Sequence, residues 1–216
     1  MTYVLSNLHG CTDQFGDLLL KINFSDNDVM YVLGDTLDIG EQPIELLCDL
    51  SMRYNVIHLL GDCELRAFRL LTALNDMLEG KTPDMEALGE MAAWMQDGGE
   101  KTIEGFKALD ADMREGVLDY LTEMTLYEEA NVKGKTYILM SRGIANYDAD
   151  TDLEDYEPED FFADDAEAPQ IEDAIVVVGG EPTASGKIER DGNVIRINCG
   201  AKLACLCLES GKEFYV

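Results

Sequence analysis

Basic residues are scarce in this sequence. Its 216 residues include 16 Lys and Arg against 44 Asp and Glu, which gives a formal net charge of -28 at pH 7. A charge of this size repels a polyanion from nearly every direction, because no large basic surface offsets it. Binding to nucleic acid is therefore not expected.

Histidines, paired cysteines and long apolar runs are also lacking. Only His9 and His58 are present, which restricts any mechanism that needs several imidazoles. The six cysteines form no C-x-x-C pair, so we expect reduced thiols rather than a zinc ribbon or a disulfide framework. No run approaches the roughly 20 apolar residues of a membrane span, and no signal-peptide pattern opens the chain. We expect a cytoplasmic protein that does not associate with membranes.

The residues that are present favour a folded α/β protein. Apolar residues make up 46% of the chain, and the length suits one domain over residues 1–216. Short apolar runs at 3–7, 28–35 and 55–62 alternate with helical patterns, which predicts a β-α-β-α-β unit and a parallel sheet. Helical spacing without β-branched runs predicts a helical insertion at about 64–124.

The last third of the chain is rich in predicted strands. Hairpin turns are predicted at residues 133–134, 191–193 and 210–211. We expect two sheets packed face to face with helices outside them, the first sheet partly parallel and the second mostly antiparallel.

A strongly acidic segment interrupts this region. No Lys or Arg occurs from Gly143 to Gly186, and eleven acidic residues lie between Asp148 and Glu167. This predicts an acidic surface loop at about 145–172, solvated or partly disordered. The alternatives are a lid, a docking site for a basic protein partner, or a weak calcium-attracting surface that lacks an ordered D-x-D-x-D-G loop.

Polar residues follow each of the first three predicted strands. Asn7 and His9 follow the first, Asp35 the second and Asp62 the third. The carboxyl ends of parallel strands meet at one edge of a sheet, so these side chains are expected to converge. Their oxygen donors suit a hard divalent cation such as Mg²⁺ or Mn²⁺.

The motifs at these strand ends resemble a known family. S-N-L-H-G, G-D-T-L-D-I-G and G-D-C-E are similar to G-D-x-H-G, G-D-x-x-D-R-G and G-N-H-E of the calcineurin-like metallophosphoesterases, in particular bacterial and phage serine/threonine phosphatases of the PPP type. The resemblance continues, in order, through W-M-Q-D-G-G-E-K-T at 94–102, Y-I-L-M-S-R-G-I at 137–144, V-V-V-G-G-E-P-T at 176–183 and the closing residues 197–216. It implies a four-layer αββα sandwich with two mixed β-sheets.

The resemblance also implies two metal ions, and the ligand positions are only partly retained. His9 and Asp35 match ligands of the family, and Asp35 occupies the position that bridges the two metals. Asn7 occupies the position of a family aspartate, and Asp62 occupies the position of a family asparagine. Both histidine ligands of the second metal are replaced, by Ser141 and Gly180. We expect one weakly held divalent ion, Mn²⁺ or Mg²⁺, and no binuclear centre.

The catalytic positions follow the same trend. Asp38 matches, but Cys63 replaces the histidine that the family uses to protonate the leaving group. Ile39 replaces an arginine that grips phosphate, and the second such arginine, which the resemblance places in the loop after Gly143, is not expected because the stretch up to Gly186 has no basic residue. A phosphoryl dianion would then meet carboxylates. Each lost donor costs a few kcal/mol, roughly 10²- to 10³-fold in rate.

Three functions stay open at this point. The favoured hypothesis is a catalytically impaired or inactive phosphatase-like protein, a pseudophosphatase with a binding or regulatory role. The alternatives are an active single-metal phosphoesterase that uses His9, Asp35, Asp62 and Asn7, and an interaction module built on the acidic loop. A nucleophilic Cys63 activated by His9 is disfavoured, since no third group is identified to orient the imidazole.

Overall fold

The computed structural model describes residues 1–82 and 84–216 and contains two five-stranded β-sheets. In chain order the strands are β1 (Thr2–Leu5), β2 (Val29–Val32), β3 (Val56–His58), β4 (Tyr127–Val132), β5 (Lys135–Met140), β6 (Ala174–Val178), β7 (Glu189–Asp191), β8 (Val194–Arg196), β9 (Ala204–Cys207) and β10 (Glu213–Tyr215). The first sheet has the order β10-β9-β1-β2-β3, and the second has the order β4-β5-β6-β8-β7.

The predicted β-α-β-α-β unit is confirmed. Strands β1, β2 and β3 pair in parallel, and β9 and β10 extend the sheet in antiparallel pairing. Helix α1 (Thr12–Ile22) connects β1 to β2, and helix α2 (Pro43–Ser51) connects β2 to β3. Both helices bury apolar residues against one face of the sheet. This face therefore has the predicted helical cover.

The prediction that the second sheet is mostly antiparallel is wrong. Its edge pairs β4–β5 and β7–β8 are antiparallel hairpins, as their turn residues indicated. The central pairs β5–β6 and β6–β8 are parallel, because the chain crosses over between residues 141 and 173 before β6 begins. The unbroken apolar run of β6, A-I-V-V-V, is typical of a strand buried in a parallel sheet. Both sheets are thus mixed.

The two sheets pack face to face, as expected. Val4 of β1 lies in one buried cluster with Leu139 of β5 and Val177 of β6. Its neighbours Tyr3 and Leu5 point to the opposite face and pack with the residues of α1 and α2. This alternation follows from the two-residue period of a strand. This core between the two sheets holds the strand ends of the first sheet beside those of the second sheet.

A group of helices follows β3. It comprises α3 (Asp62–Leu78), α4 (Met85–Trp94), a π-helical turn (Met95–Gly99), α5 (Glu100–Ala108) and α6 (Ala111–Thr122). All of them lie in or at the edge of the region 64–124, where the sequence pattern predicts a helical insertion. No helix within 1–82 and 84–216 is long and apolar enough to cross a membrane. The helices pack with α2 around Leu37, which places them beside the loop that follows β2.

The acidic segment 145–172 is not the free loop that its charge predicted. It contains a 3₁₀ turn (Leu153–Asp155) and the short helix α7 (Pro158–Phe161). Phe161 is 2% exposed and packs, with Ile144, on the outer face of the second sheet. Its ring stacks on Tyr127 of β4, with centroids 6.3 Å apart. The segment thus forms the fourth layer of the sandwich while most of its carboxylates point to solvent.

Candidate functional site

The polar residues that follow β1 and β2 lie together, as their strand-end positions predicted. The two loops are joined by backbone hydrogen bonds from His9 to the Asp35 carbonyl (3.0 Å) and from Gly10 to the Thr36 carbonyl (2.6 Å). The loop after β3 approaches the same place, since the Asp35 charge contributes to the pKa of Asp62. The expected convergence of Asn7, His9, Asp35 and Asp62 at one sheet edge therefore holds for their loops.

Glycines allow the loops of the two sheets to meet. A Cβ atom on Gly34 would stand 2.6 Å from the Gly61 Cα and 3.0 Å from the Ser141 Oγ. A Cβ on Gly179 would stand 2.9 Å from the Ser6 Cβ. No side chain tolerates such distances, so these positions require glycine. The site is consequently a junction of strand ends from both sheets.

The backbone is strained where the site residues lie. Asn7, His9, Asp35, Asp38 and Ile39 all have φ between 43° and 67°, in the left-handed region. Such conformations cost about 1–3 kcal/mol each and persist where the surrounding structure enforces them. Ile39 is the most unusual, since β-branched residues rarely adopt this conformation. Its side chain is 68% exposed and offers no charge at this position.

Asn7 donates a hydrogen bond from its amide to Asp35. The Ser6 hydroxyl donates to the Asn7 Oδ1 atom, and the Asn7 Nδ2 atom donates to Asp35 Oδ2 at 3.2 Å. Burial raises the pKa of Asp35, while the nearby His9 opposes that rise. The oxygen of Asn7 is thus engaged by a hydroxyl, and its N–H group faces the carboxylate.

His9 has one ring nitrogen engaged. Its Nδ1 atom lies 3.2 Å from the Leu37 carbonyl oxygen, which only accepts hydrogen bonds. Nδ1 therefore carries a proton in this hydrogen bond, and Nε2 is the ring nitrogen that remains for a metal ion or a proton.

Arg142 is a site residue that the sequence reasoning missed. Its Nη1 atom lies 3.8 Å from Asp62 Oδ2, and Nη2 lies 4.0 Å from Glu181 Oε1. Nη2 also donates to the Asp164 carbonyl at 3.3 Å. Burial and then the Asp35 charge raise the pKa of Asp62, whereas Arg142 lowers it. Arg142 adds one positive charge to the carboxylates expected here, and it immediately precedes the stretch without basic residues.

Ser141 and Gly180 lie next to one another at the ends of β5 and β6. The Gly180 backbone N–H donates to the Ser141 carbonyl at 2.8 Å. Ser141 is buried, and a Cβ on Gly180 would stand 3.7 Å from the Arg142 Cγ. Neither position presents an imidazole or a carboxylate.

Asp38 is buried and fully engaged. Its carboxylate accepts hydrogen bonds from Trp94 Nε1 (2.8 Å), Thr102 Oγ1 (2.9 Å) and Arg66 Nη2 (2.8 Å). Arg66 also binds Asp97 at 3.0 Å. These contacts tie the loop after β2 to α3, to α5 and to the end of α4. Asp38 therefore stabilises the junction between the site and the helices.

Cys63 follows Asp62 at the start of α3 and is buried. Burial, together with the charges of Asp35 and Glu64, raises the pKa of its thiol far above the ordinary value. A neutral thiol is a poor nucleophile and a poor ligand. This environment agrees with the expectation that Cys63 is not a nucleophile.

Glu64, the last residue of the G-D-C-E motif, and His58 form a buried layer beneath the site. Glu64 accepts hydrogen bonds from the backbone N–H groups of Asp35 (2.8 Å) and Thr36 (2.7 Å). Burial and the Asp35 charge raise the pKa of Glu64 to about 7. His58 Nε2 lies 2.9 Å from the Thr36 hydroxyl, and burial lowers the pKa of His58 to about 3. The layer holds the Asp35 loop in its strained conformation.

The donor set does not fit a binuclear metal centre. Within residues 1–82 and 84–216, no three His, Cys, Asp or Glu side chains are arranged to hold a metal ion. Asn7 turns an N–H toward Asp35, Arg142 faces Asp62, and Gly180 has no side chain. The protein's own donors thus lie where a cation would otherwise neutralise the carboxylates.

Comparisons with known proteins place the fold. No family model matches the chain, and no curated protein sequence matches it significantly. A solved structure of a candidate diadenosine tetraphosphatase superposes with a TM-score of 0.66 at 16% identity, over 100% of this chain and 92% of that one. A Saccharomyces cerevisiae serine/threonine phosphatase similar to human PP5 gives 0.55 at 12%, over 100% and 78%. A metallophosphoesterase from Sphaerobacter thermophilus gives 0.53 at 11%, over 99% and 86%.

Proposed function

From the calcineurin-like metallophosphoesterase fold that these structures share with the chain, we propose that the protein is a pseudophosphatase. It keeps the scaffold of a phosphatase but hydrolyses phosphate esters poorly or not at all. Its role is then binding or regulation.

One observation carries this proposal: internal donors take the place of cations at the strand ends. The Asn7 amide binds Asp35 at 3.2 Å, and the Arg142 guanidinium lies 3.8 Å from Asp62. An amide donates a hydrogen bond and a guanidinium brings a positive charge, but neither activates a water molecule, whereas a bound metal ion lowers the pKa of its water and generates a nucleophile. These contacts offset only part of the burial that raises the pKa values of Asp35 and Asp62.

The site also offers few groups that would stabilise a phosphoryl group during its transfer. The exposed Ile39 provides no charge, and the Cys63 thiol is buried and held neutral. Arg142 is the one guanidinium in contact with Asp62 among the described residues, and it is already engaged by Asp62, Glu181 and Asp164. Loss of one charge-stabilising donor costs about 3–4 kcal/mol. Several losses together predict turnover near background.

A phosphatase assay tests the proposal. The purified chain is assayed with an aryl phosphate and with a phosphoserine peptide, each in Mg²⁺ and in Mn²⁺. We expect no turnover above that of the Asp35→Ala variant, which serves as the matched control. Turnover by the native chain that disappears in Asp35→Ala would overturn the proposal.

A single-metal phosphoesterase is the second candidate. Asp35 and Asp62 are close enough that the charge of Asp35 raises the pKa of Asp62, a pattern that a divalent cation would relieve. His9 Nε2 is the remaining free donor near them. This candidate requires one metal ion per chain, together with activity that a chelator abolishes and Mn²⁺ restores. Metal analysis of the purified protein beside the assay separates the two candidates.

A further inference from the structure

A groove lies between α2 and α6, and none of its residues belongs to the strand-end site. It encloses about 270 Å³. Leu47 of α2 and Val117 of α6 are buried at its floor. Met52, Met113 and Tyr120 also line it. The surface is almost entirely apolar.

The rim of this groove exposes large apolar side chains. Met52 is 78% exposed and Met113 is 49% exposed. Exposed apolar patches of this kind mark interaction surfaces in soluble proteins. Methionine is frequent on such surfaces, because its flexible thioether adapts to different partners.

Gly116 leaves the groove open at its centre. It lies in the middle of α6, and no atom stands within 4 Å of the point where its Cβ would be. A glycine inside a helix costs about 1 kcal/mol relative to alanine. The missing side chain gives another helix room to approach α6 closely.

The surroundings of the groove are acidic. Glu45 on α2 and Asp112, Glu115 and Asp119 on α6 are exposed, and none of them belongs to an ion pair in the part of the chain that the structure describes. The arginines of these elements are engaged internally.

Two arginines illustrate that engagement. Arg53, just after α2, binds Asp49 at 2.9 Å. Arg114 of α6 donates to Asn75 Oδ1 (2.8 Å) and to the Leu109 carbonyl (2.6 Å). Neither is free to offset the acidic rim.

We infer that this groove, the α2–α6 groove, binds an amphipathic helix of a partner protein, with an apolar stripe on the groove and basic residues against its acidic rim. Apolar grooves commonly bind helices through side chains spaced by three or four residues. The charge of the rim selects a basic partner. A second copy of this chain is disfavoured as the occupant, because it carries the same net charge of -28.

A designed peptide tests the inference on the full chain. The probe is a fluorescein-labelled helix of Leu and Lys, about four turns long, with Leu on one face. A scrambled peptide of the same composition is the control. We expect the amphipathic peptide to bind at least about tenfold more tightly than the scrambled one, measured by fluorescence anisotropy.

Paired variants locate the binding surface. Met52→Lys and Gly116→Leu are each expected to weaken binding by about tenfold or more. Met85→Lys and Gly89→Leu, both on α4, make the same changes at exposed positions outside the groove, and we expect them to leave binding unchanged. Gly116→Leu favours helix formation, so lost binding there does not reflect unfolding.

Two results would overturn the inference. The first is equal affinity for the scrambled peptide, which would indicate attraction by net charge alone. The second is unchanged binding in Met52→Lys and Gly116→Leu with loss in the triple variant Asp150→Asn, Glu154→Gln, Glu159→Gln. That pattern would place the partner on the acidic segment.

Discussion

At the residue scale, the buried carboxylate of Asp38 accepts hydrogen bonds from three donors. Replacing it by asparagine leaves Arg66 and Trp94 facing an amide instead of a carboxylate. Arg66 is 34% exposed, so solvent relieves part of this loss. We expect Asp38→Asn to lower the free energy of unfolding by about 2–3 kcal/mol in urea denaturation.

The control for that prediction uses the same arginine. Asp97 also binds Arg66, but its side chain is 74% exposed. Asp97→Asn is expected to cost under about 1 kcal/mol. Equal costs for the two variants would mean that Asp38 does not have the structural role assigned to it.

Asn7 offers a second test at this scale. In Asn7→Asp, the introduced carboxylate faces Asp35 without the amide donor. We expect a lower Tm than that of the native chain in chelator, because two like charges meet in a partly buried site. Added Mn²⁺ is expected to raise the Tm of this variant more than that of the native chain or of Asn7→Ala. Equal Mn²⁺ stabilisation in all three proteins would contradict the role given to the amide.

His58 gives the protein a defined pH dependence. Burial lowers its pKa to about 3 from an ordinary value of 6.5, so the folded state disfavours the charged form. Its contribution to stability is therefore complete above pH 6.5 and is lost as the pH falls through 6.5 toward 3. Glu64, 4.0 Å away, acts in the opposite sense, because its raised pKa of about 7 favours protonation in the folded state. The neighbouring Tyr120 hydroxyl stays protonated throughout this range.

The variant His58→Gln separates these contributions. Between pH 8 and pH 5, the native chain is expected to lose up to about 2 kcal/mol of stability relative to the variant. Chemical denaturation of both proteins at the two pH values measures this difference. A constant difference between the proteins would show that His58 titrates normally in the folded state.

Residue-level prediction from the sequence was uneven for a physical reason. The glycines and carboxylates at strand ends were predictable, because a strand followed by G-D has few other interpretations. Arg142 was missed because the motif drew attention to its neighbour Ser141, although both follow the same strand. The role of Glu64 was missed because nothing in the local sequence indicates that its carboxylate binds the loop after the neighbouring strand β2.

At the scale of elements, the acidic segment shows that composition alone does not predict which residues pack on a sheet. Its charge predicted a solvated loop, yet Phe161 and neighbouring aromatic residues pack on the second sheet. We expect Phe161→Ala to cost about 3–5 kcal/mol and to open the segment. A glutamyl endopeptidase, with cleavage sites located by mass spectrometry, should then cut between residues 148 and 167 far faster than in the native chain.

A matched variant distinguishes local opening from general instability. Phe106 of α5 is equally buried but lies outside this layer. Phe106→Ala is expected to be destabilised without selective cleavage of the acidic segment. Similar cleavage patterns in both variants would mean that the segment is not an independently anchored layer.

The arrangement of elements was predictable where elements that are consecutive in the chain also pack or pair with one another. The β-α-β-α-β unit followed from periodicity, and the hairpins followed from their Gly-containing turns. The parallel pairing of β5, β6 and β8 was not predictable, because it depends on how the acidic crossover packs. Long-range pairing of this kind has no signature in a single stretch of sequence.

At the scale of the whole molecule, the close packing of the strand ends contrasts with the side chains beside them, which do not form a metal site among the described residues. Close contacts at Gly34 and Gly179 keep the two sheets joined at their strand ends. The scaffold therefore packs its strand ends closely, while the Asn7 amide and the Arg142 guanidinium face the carboxylates there.

The stoichiometry of Mn²⁺ binding tests this account most directly. Calorimetric titration of the native chain, at a salt concentration that screens its surface charge, is compared with the Asp35→Asn variant. The account predicts at most one weak binding step, which the variant lacks. Tight binding of two Mn²⁺ ions per native chain would contradict it.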